Sequence, residues 1–71
     1  MVLVVFEDSY HHRPLRKFYR LHQLHIKNGT RVYLDCKNED DSGWYEVCEQ
    51  RIGIGQKFTT RVTQFFTLSP V

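Results

Sequence analysis

The chain has 71 residues, with ten lysines and arginines, eight acidic residues and a formal net charge of +2. This length predicts one domain, residues 1–71, which is too small to enclose the pocket that most enzymes need. No apolar run approaches the roughly 20 residues of a membrane-spanning helix, so we expect no membrane partner.

The first predicted element is a strand at the start of the chain. Residues 2–6 read Val-Leu-Val-Val-Phe, a continuous apolar run rich in β-branched side chains. Such a run is typical of a strand that is covered on both faces or lies in the middle of a sheet. Because the run is short and lacks a basic leader, we expect no signal peptide and a cytoplasmic location.

The second predicted element is a helix over residues 14–27, and the spacing of its side chains is the reason. Apolar side chains recur at helical spacing on one side and cations recur on the other. The apolar stripe is Leu15, Phe18, Tyr19, His22 and Ile26, and the cations are Arg13, Arg16, Lys17 and Arg20. Pro14 suits a first helical position, and Asn28-Gly29 can supply a left-handed cap at the other end.

A second interpretation of the same segment is a hairpin, because Asn-Gly is also a strong turn signal between strands. A strand over residues 18–27 would then fold back onto residues 30–37 in a register that keeps apolar side chains on one face. The sequence favours the helix and leaves the hairpin open.

Three further strands are predicted in the second half of the chain. They are Arg31–Cys36, Trp44–Cys48 and a long strand from Lys57 to Leu68, separated by turns at Asn38–Gly43 and Arg51–Gly55. The order strand, helix, strand, strand, strand predicts an α+β fold with one helix packed on a mostly antiparallel four-stranded sheet. If the hairpin forms, the alternative is an all-β five-stranded small barrel.

The sequence lacks the motifs that cofactor or catalytic chemistry requires. Eleven residues separate Cys36 from Cys48, too many for a zinc knuckle. Hairpin counting also places the two residues out of register, so we expect reduced, structural cysteines. Gly53-Ile54-Gly55 lacks the third glycine and the following helix of a phosphate loop. We therefore predict no metal, no cofactor and no catalytic residue.

The candidate binding residues are cationic and aromatic. Four cations on one helical ridge can pair with carboxylates or phosphates. Tyr33 is expected to face away from the core, and Trp44 and Tyr45 cannot both point inward, which leaves aromatic surface for a partner. The predicted partner-binding set is Arg13, Arg16, Lys17, Arg20, Tyr33 and Trp44.

These features favour a small non-catalytic binding protein. It would act as an inhibitor or adaptor by occupying the acidic surface of a larger protein, a profile that fits a virus- or mobile-element-encoded inhibitor. The alternative is a nucleic-acid-binding module that uses the basic helix face. Such a helix has few side chains suited to reading bases, so backbone-type binding is expected. A homodimer is a further way to cover the exposed aromatics.

Overall fold

The computed structural model describes residues 1–54 and 62–71, and it folds them into five strands. These strands are β1 (Val2–Asp8), β2 (Pro14–Arg20), β3 (Arg31–Leu34), β4 (Gly43–Ile54) and β5 (Val62–Pro70), with a 3-10 turn over Glu39–Asp41. They form one sheet in the order β2-β1-β5-β4-β3, which curls into a nearly closed barrel. The described part of the chain contains no helix with the length and apolarity that a membrane crossing requires.

Strand β1 lies inside the sheet, as the continuous apolar run predicted. It pairs antiparallel with β2 along one edge and parallel with β5 along the other. Val4 and Phe6 point into the core, and Val5 on the opposite face is also buried. Both faces of β1 are therefore covered, which explains why the run is apolar at consecutive positions.

The helix predicted over residues 14–27 is wrong, and with it the α+β fold of one helix on a four-stranded sheet. Residues 14–20 are extended as β2, and residues 21–28 are irregular. Without β2, one edge of β1 would carry backbone groups without partners, and buried groups of that kind are costly. Helical spacing is a weak preference that this pairing overrides.

The five-stranded barrel is the correct alternative, but its predicted pairing is also wrong. Strand β2 does not fold back onto β3; it pairs with β1, while β3 pairs with β4. In this arrangement the Phe18 ring reaches the core and lies 5.6 Å from the Phe6 ring, centroid to centroid. Pro14 is tolerated because it stands at the first position of an edge strand.

The core is formed by alternate residues of β1, β3, β4 and β5, and the partly buried Leu15 and Phe18 of β2 pack against it. Its buried members are Val2, Val4, Phe6, Leu34, Tyr45, Val47, Phe66 and Leu68. Tyr45 points inward and Trp44 outward, which confirms that the two rings take opposite faces. Arg31 pairs with Glu46 and Leu34 with Gly43, a register that carries Cys36 past the end of β4. Both cysteines are free.

Strand β4 is longer than predicted, because the turn expected at Arg51–Gly55 does not begin at Arg51. Residues 51–54 continue the ladder, with Arg51 opposite Phe65 and Ile54 opposite Val62. A Cβ atom at Gly53 would make an ordinary van der Waals contact, 3.5 Å from Cε2 of Phe65, so the strand does not require glycine there. Gly55 and the predicted strand positions 57–61 lie outside the described residues.

The irregular segment after β2, residues 21–28, is fastened to the sheet by two glutamines. The Leu24 N–H donates to Oε1 of Gln64 at 2.7 Å, and Nε2 of Gln64 donates to the Leu24 carbonyl at 2.9 Å. Nε2 of Gln50 donates to the Ile26 carbonyl at 2.8 Å. Leu24 and Ile26 pack on the core, so side-chain amides replace a strand ladder here.

Replacing Gln64 by Met is expected to lower the free energy of unfolding by about 1–3 kcal/mol. Gln64 is only 5% exposed, and Met keeps its volume while leaving two Leu24 backbone groups without partners. The matched control is Gln50→Met. Gln50 is exposed, so water can replace its bonds and the loss should stay within about 0.5 kcal/mol. Urea titration of the three proteins measures both changes, and equal losses would contradict this assignment.

Candidate functional site

The four cations predicted to share one ridge do not share a face. Strand alternation places Arg16 and Arg20 on the side of Phe18, and Lys17 on the opposite side next to Val5. Arg13 precedes the strand. A basic helix face therefore does not exist, and the cations must be assigned separately.

Arg13 forms an ion pair at the surface of the barrel. Its Nη1 and Nη2 donate to the two carboxylate oxygens of Asp41 at 3.0 and 2.9 Å. Hydrogen bonding to Arg13 lowers the pKa of Asp41, and hydrogen bonding to Asp41 raises the pKa of Arg13. This fork ties the loop before β2 to the 3-10 turn between β3 and β4, so it links the two ends of the sheet.

Cations on β2 also suit its position at the edge of the sheet. Edge strands present unpaired backbone groups, and charged side chains discourage a second chain from pairing with them. This role explains why Arg16, Lys17 and Arg20 recur on one short strand. It does not explain the aromatic and charged side chains that lie beside Lys17 on the neighbouring strands.

Those side chains form a groove on the outer face of the sheet, which we call the outer groove. It has a volume of about 340 Å³, and its lining includes Val5, Glu7, His12, Lys17, Arg51 and Phe65. The registers align Lys17, Val5, Phe65 and Arg51 in one row that crosses β2, β1, β5 and β4. Tyr19, 53% exposed, belongs to the adjacent row beside Leu3.

Arg51 is the most constrained side chain of the outer groove. Its Nη1 donates to Oε2 of Glu7 at 2.7 Å and its Nη2 donates to Oε1 at 3.2 Å. The guanidinium carbon also lies over the Phe65 ring, 4.1 Å from its centroid. The Arg51 side chain is nevertheless 54% exposed. The guanidinium is thus held at one end and on one face while much of it stays in contact with solvent.

Glu7 is the buried anion that holds this arrangement. Its side chain is only 3% exposed, and it also accepts bonds from His12 Nδ1 at 2.8 Å and Thr67 Oγ1 at 3.1 Å. Burial raises the pKa of Glu7, but the hydrogen bonds from Arg51, His12 and Thr67 outweigh burial and lower it below its ordinary value of 4.5. Glu7 is therefore ionised at neutral pH, and His12 Nδ1 must be the donor.

The loop that presents His12 is shaped by the preceding carboxylate. Oδ1 of Asp8 accepts the backbone N–H groups of Tyr10 and His11 at 2.7 and 2.9 Å. The His11 bond is the largest reason that the pKa of Asp8 is lowered. His12 adopts a φ of 55°, an uncommon value for a residue other than glycine. The loop thereby brings the imidazole to Glu7 across the end of β1.

The positive charge of the outer groove lies at its Lys17 end. Glu7 and Arg51 neutralise each other, and the exposed Glu49, two residues before Arg51, adds a negative charge that acts on the guanidinium. Lys17 is exposed, and no carboxylate in the described ranges lies within 4 Å of its ammonium. The row across the sheet therefore combines one uncompensated cation with one guanidinium stacked on a ring.

A second exposed surface is formed by Tyr33 and Trp44, both 58% exposed. Their rings meet edge to face, with centroids 5.6 Å apart and planes 69° apart. Beside them is a shallow groove of about 370 Å³ lined by Arg31, Trp44 and Val71. Apart from the weak pair between Arg31 and Glu46 at 3.8 Å, this surface carries little charge.

The structure does not gather metal ligands in the part that it describes. Residues 1–54 and 62–71 contain no group of three or more His, Cys, Asp or Glu side chains placed to hold an ion. Burial raises the pKa of Cys36, which disfavours its thiolate. Cys48 lies on the exposed bulge of β4, with its Sγ 2.9 Å from Oγ of Ser69.

Sequence reasoning missed Glu7, His12 and Arg51. The predicted turn includes Arg51, and Glu7 lies directly after the predicted first strand, residues 2–6. The available signal is alternation: Glu7 continues the face of Val5, and Phe65 lies on the same face of its strand as the polar Thr63 and Thr67. A buried carboxylate flanked by valine and phenylalanine on that face requires a cation on a neighbouring strand.

A scan against protein-family models and searches of curated proteins and of solved structures found no match to this chain.

Replacing Glu7 by Gln is expected to lower the free energy of unfolding by about 1–2 kcal/mol at pH 7, because three donors lose an ionised acceptor. Folding lowers the pKa of Glu7, so its contribution is complete above pH 4.5 and is lost as the pH falls through the folded value. The difference between wild type and variant should therefore narrow below pH 4.5.

The matched control for this prediction is Glu46→Gln. Glu46 is half exposed and its partner Arg31 is 3.8 Å away, so its loss should change stability by less than about 0.5 kcal/mol at any pH. Denaturant titrations at pH 7 and at pH 3.5 measure both variants. A pH-independent deficit for Glu7→Gln would show that its charge does not support the fold.

Proposed function

We propose that the protein binds nucleic acid through the outer groove. The observation that carries this proposal is the single row across the sheet that joins an uncompensated cation, Lys17, to a guanidinium stacked on an aromatic ring, Arg51 on Phe65. Nucleic-acid-binding surfaces combine the same two chemistries, cations for phosphates and planar side chains for bases. The formal net charge of +2 agrees with such a ligand.

The proposed binding surface is a sheet face and not the predicted basic helix, which does not form. A helix bearing four cations would have provided contacts to phosphates but not to bases. The sheet face adds Phe65 and Arg51, and the half-exposed ring of Tyr19 lies in the adjacent row. A cytoplasmic location, as expected from the sequence, belongs to the same proposal.

Lys17→Glu is expected to weaken binding to an oligonucleotide and to reduce its dependence on salt. For single strands, each phosphate contact contributes about 0.7 to the slope of log K against log salt. Removing one contact should reduce the slope by about that amount. Fluorescence anisotropy titrations of a labelled oligonucleotide at several NaCl concentrations measure both quantities.

Lys27→Glu is the control for this experiment. Lys27 is also exposed, and its substitution changes the net charge by the same amount, but it lies in the segment after β2 and outside the outer groove. Equal losses for the two variants would indicate attraction by net charge alone, without a site. No binding by the wild type at low salt would remove the proposal.

A second candidate function is the one favoured by the sequence, inhibition or adaptation of a larger protein. The observation in its favour is the Tyr33–Trp44 pair, since exposed tyrosine and tryptophan are enriched where proteins bind each other. This pair is about 23 Å along β4 from Arg51, at roughly 3.3 Å for each of seven residues. The two surfaces can therefore be tested separately.

Trp44 is the chain's single tryptophan, so intrinsic fluorescence reports on the Tyr33–Trp44 pair. A short oligonucleotide bound in the outer groove should leave the Trp44 emission maximum unchanged, because the ring stays in contact with water. A protein partner that covers the pair should shift the maximum to shorter wavelength. A blue shift with the oligonucleotide would indicate that the nucleic acid binds at the Tyr33–Trp44 pair and not in the outer groove.

A further inference from the structure

We infer that the ligand of the outer groove is single-stranded, because the Arg51 guanidinium is built as a platform for one unpaired base. This inference rests on the proposed function and specifies its substrate class. It is carried by the contacts of Arg51 on the described strands.

The terminal nitrogens of the Arg51 guanidinium are occupied by an ion pair. An arginine that grips a phosphate uses two N–H groups as a fork. In Arg51 both terminal nitrogens already donate to the carboxylate of Glu7, at 2.7 and 3.2 Å. That fork is therefore occupied, and a phosphate approaching it would also meet the charge of Glu7. Arg51 is poorly arranged for phosphate binding.

The two faces of the Arg51 guanidinium have different surroundings. One face lies on the Phe65 ring, 4.1 Å from the ring centroid. The side chain is still 54% exposed and lines the outer groove, so a ligand in the groove can reach it. Nucleobases stack on guanidinium planes as they do on aromatic rings. A base is the ligand that uses what Arg51 leaves free.

The Arg51 side chain is preorganised. The Glu7 carboxylate is held by Thr67 at 3.1 Å and His12 at 2.8 Å and is almost fully buried. Arg51 is thus clamped between a fixed anion and a ring of the sheet before any ligand arrives. Little side-chain entropy remains to be lost on stacking, which favours binding.

The cation that can bind a phosphate lies at a distance from Arg51. Lys17 stands in the same row as Arg51 but three strand spacings away, roughly 14 Å at about 4.8 Å per spacing. One nucleotide therefore does not serve both positions, and the ligand must run across the strands. Bases inside a duplex are stacked on each other and cannot reach Arg51, whereas an unpaired strand can present one.

The test compares three labelled ligands of equal length: a single strand, a duplex and a strand of abasic sites, which has phosphates but no bases. We expect the wild type to bind the single strand at least about fivefold more tightly than the abasic strand, the lower end for one stacked base. In Arg51→Lys the charge is kept and the plane is lost. Its affinity for the single strand should fall to the abasic level, while its affinity for the abasic strand stays unchanged.

Arg31→Lys is the matched control, because it makes the same substitution outside the outer groove. Arg31 lies on β3 and, among the described residues, makes only the 3.8 Å pair with Glu46, so the preference for the single strand over the abasic strand should persist in this variant. Persistence of that preference in Arg51→Lys would overturn the platform. Equal binding of single, duplex and abasic strands by the wild type would also overturn it, yet leave nucleic-acid binding intact. Failure of the wild type to bind any of the three would remove both.

Discussion

The rest of the structure depends on the need of β1 for backbone partners along both of its edges. An apolar strand that is covered on both faces cannot leave one edge to water without losing that cover. Pairing with β5 satisfies one edge, and only a second extended segment can satisfy the other. Residues 14–20 supply this segment. The barrel, the irregular conformation of residues 21–28 and the positions of the cations on β2 all follow from this pairing.

The same pairing explains why a charged network stands on the outer face. The ladder between β1 and β2 shifts register between Phe6 and Glu7, just before the loop that connects the two strands. Glu7 lies there among side chains that exclude water, so it needs charged and hydroxyl donors to stay ionised. Arg51, His12 and Thr67 come from three separate parts of the chain. Their convergence ties β4, β5 and the first loop to β1.

Much of this fold could be predicted locally, and the failures were of one kind. The first strand and the placement of Trp44 and Tyr45 on opposite faces of β4 follow from local patterns along single strands, which do not depend on distant neighbours. The helix failed because residues 15, 18, 19, 22 and 26 satisfy helical spacing by themselves, while β1 decides their conformation. The outer groove could not be predicted, because the approach of Arg51 to Glu7 depends on a parallel pairing between the chain's two ends.

The residues of the outer groove differ in how they contribute to the stability of the fold and to the proposed binding. Arg51 and Glu7 contribute to the fold as well as to the proposed platform, so substitutions there act on both. Lys17 contributes to neither core nor ion pair among the described residues; its long side chain is free to follow a phosphate. A site with a rigid base platform at one end and a mobile cation at the other can hold one base in a fixed position while it accepts variable backbone geometry. This is the combination that binding without strict sequence preference requires.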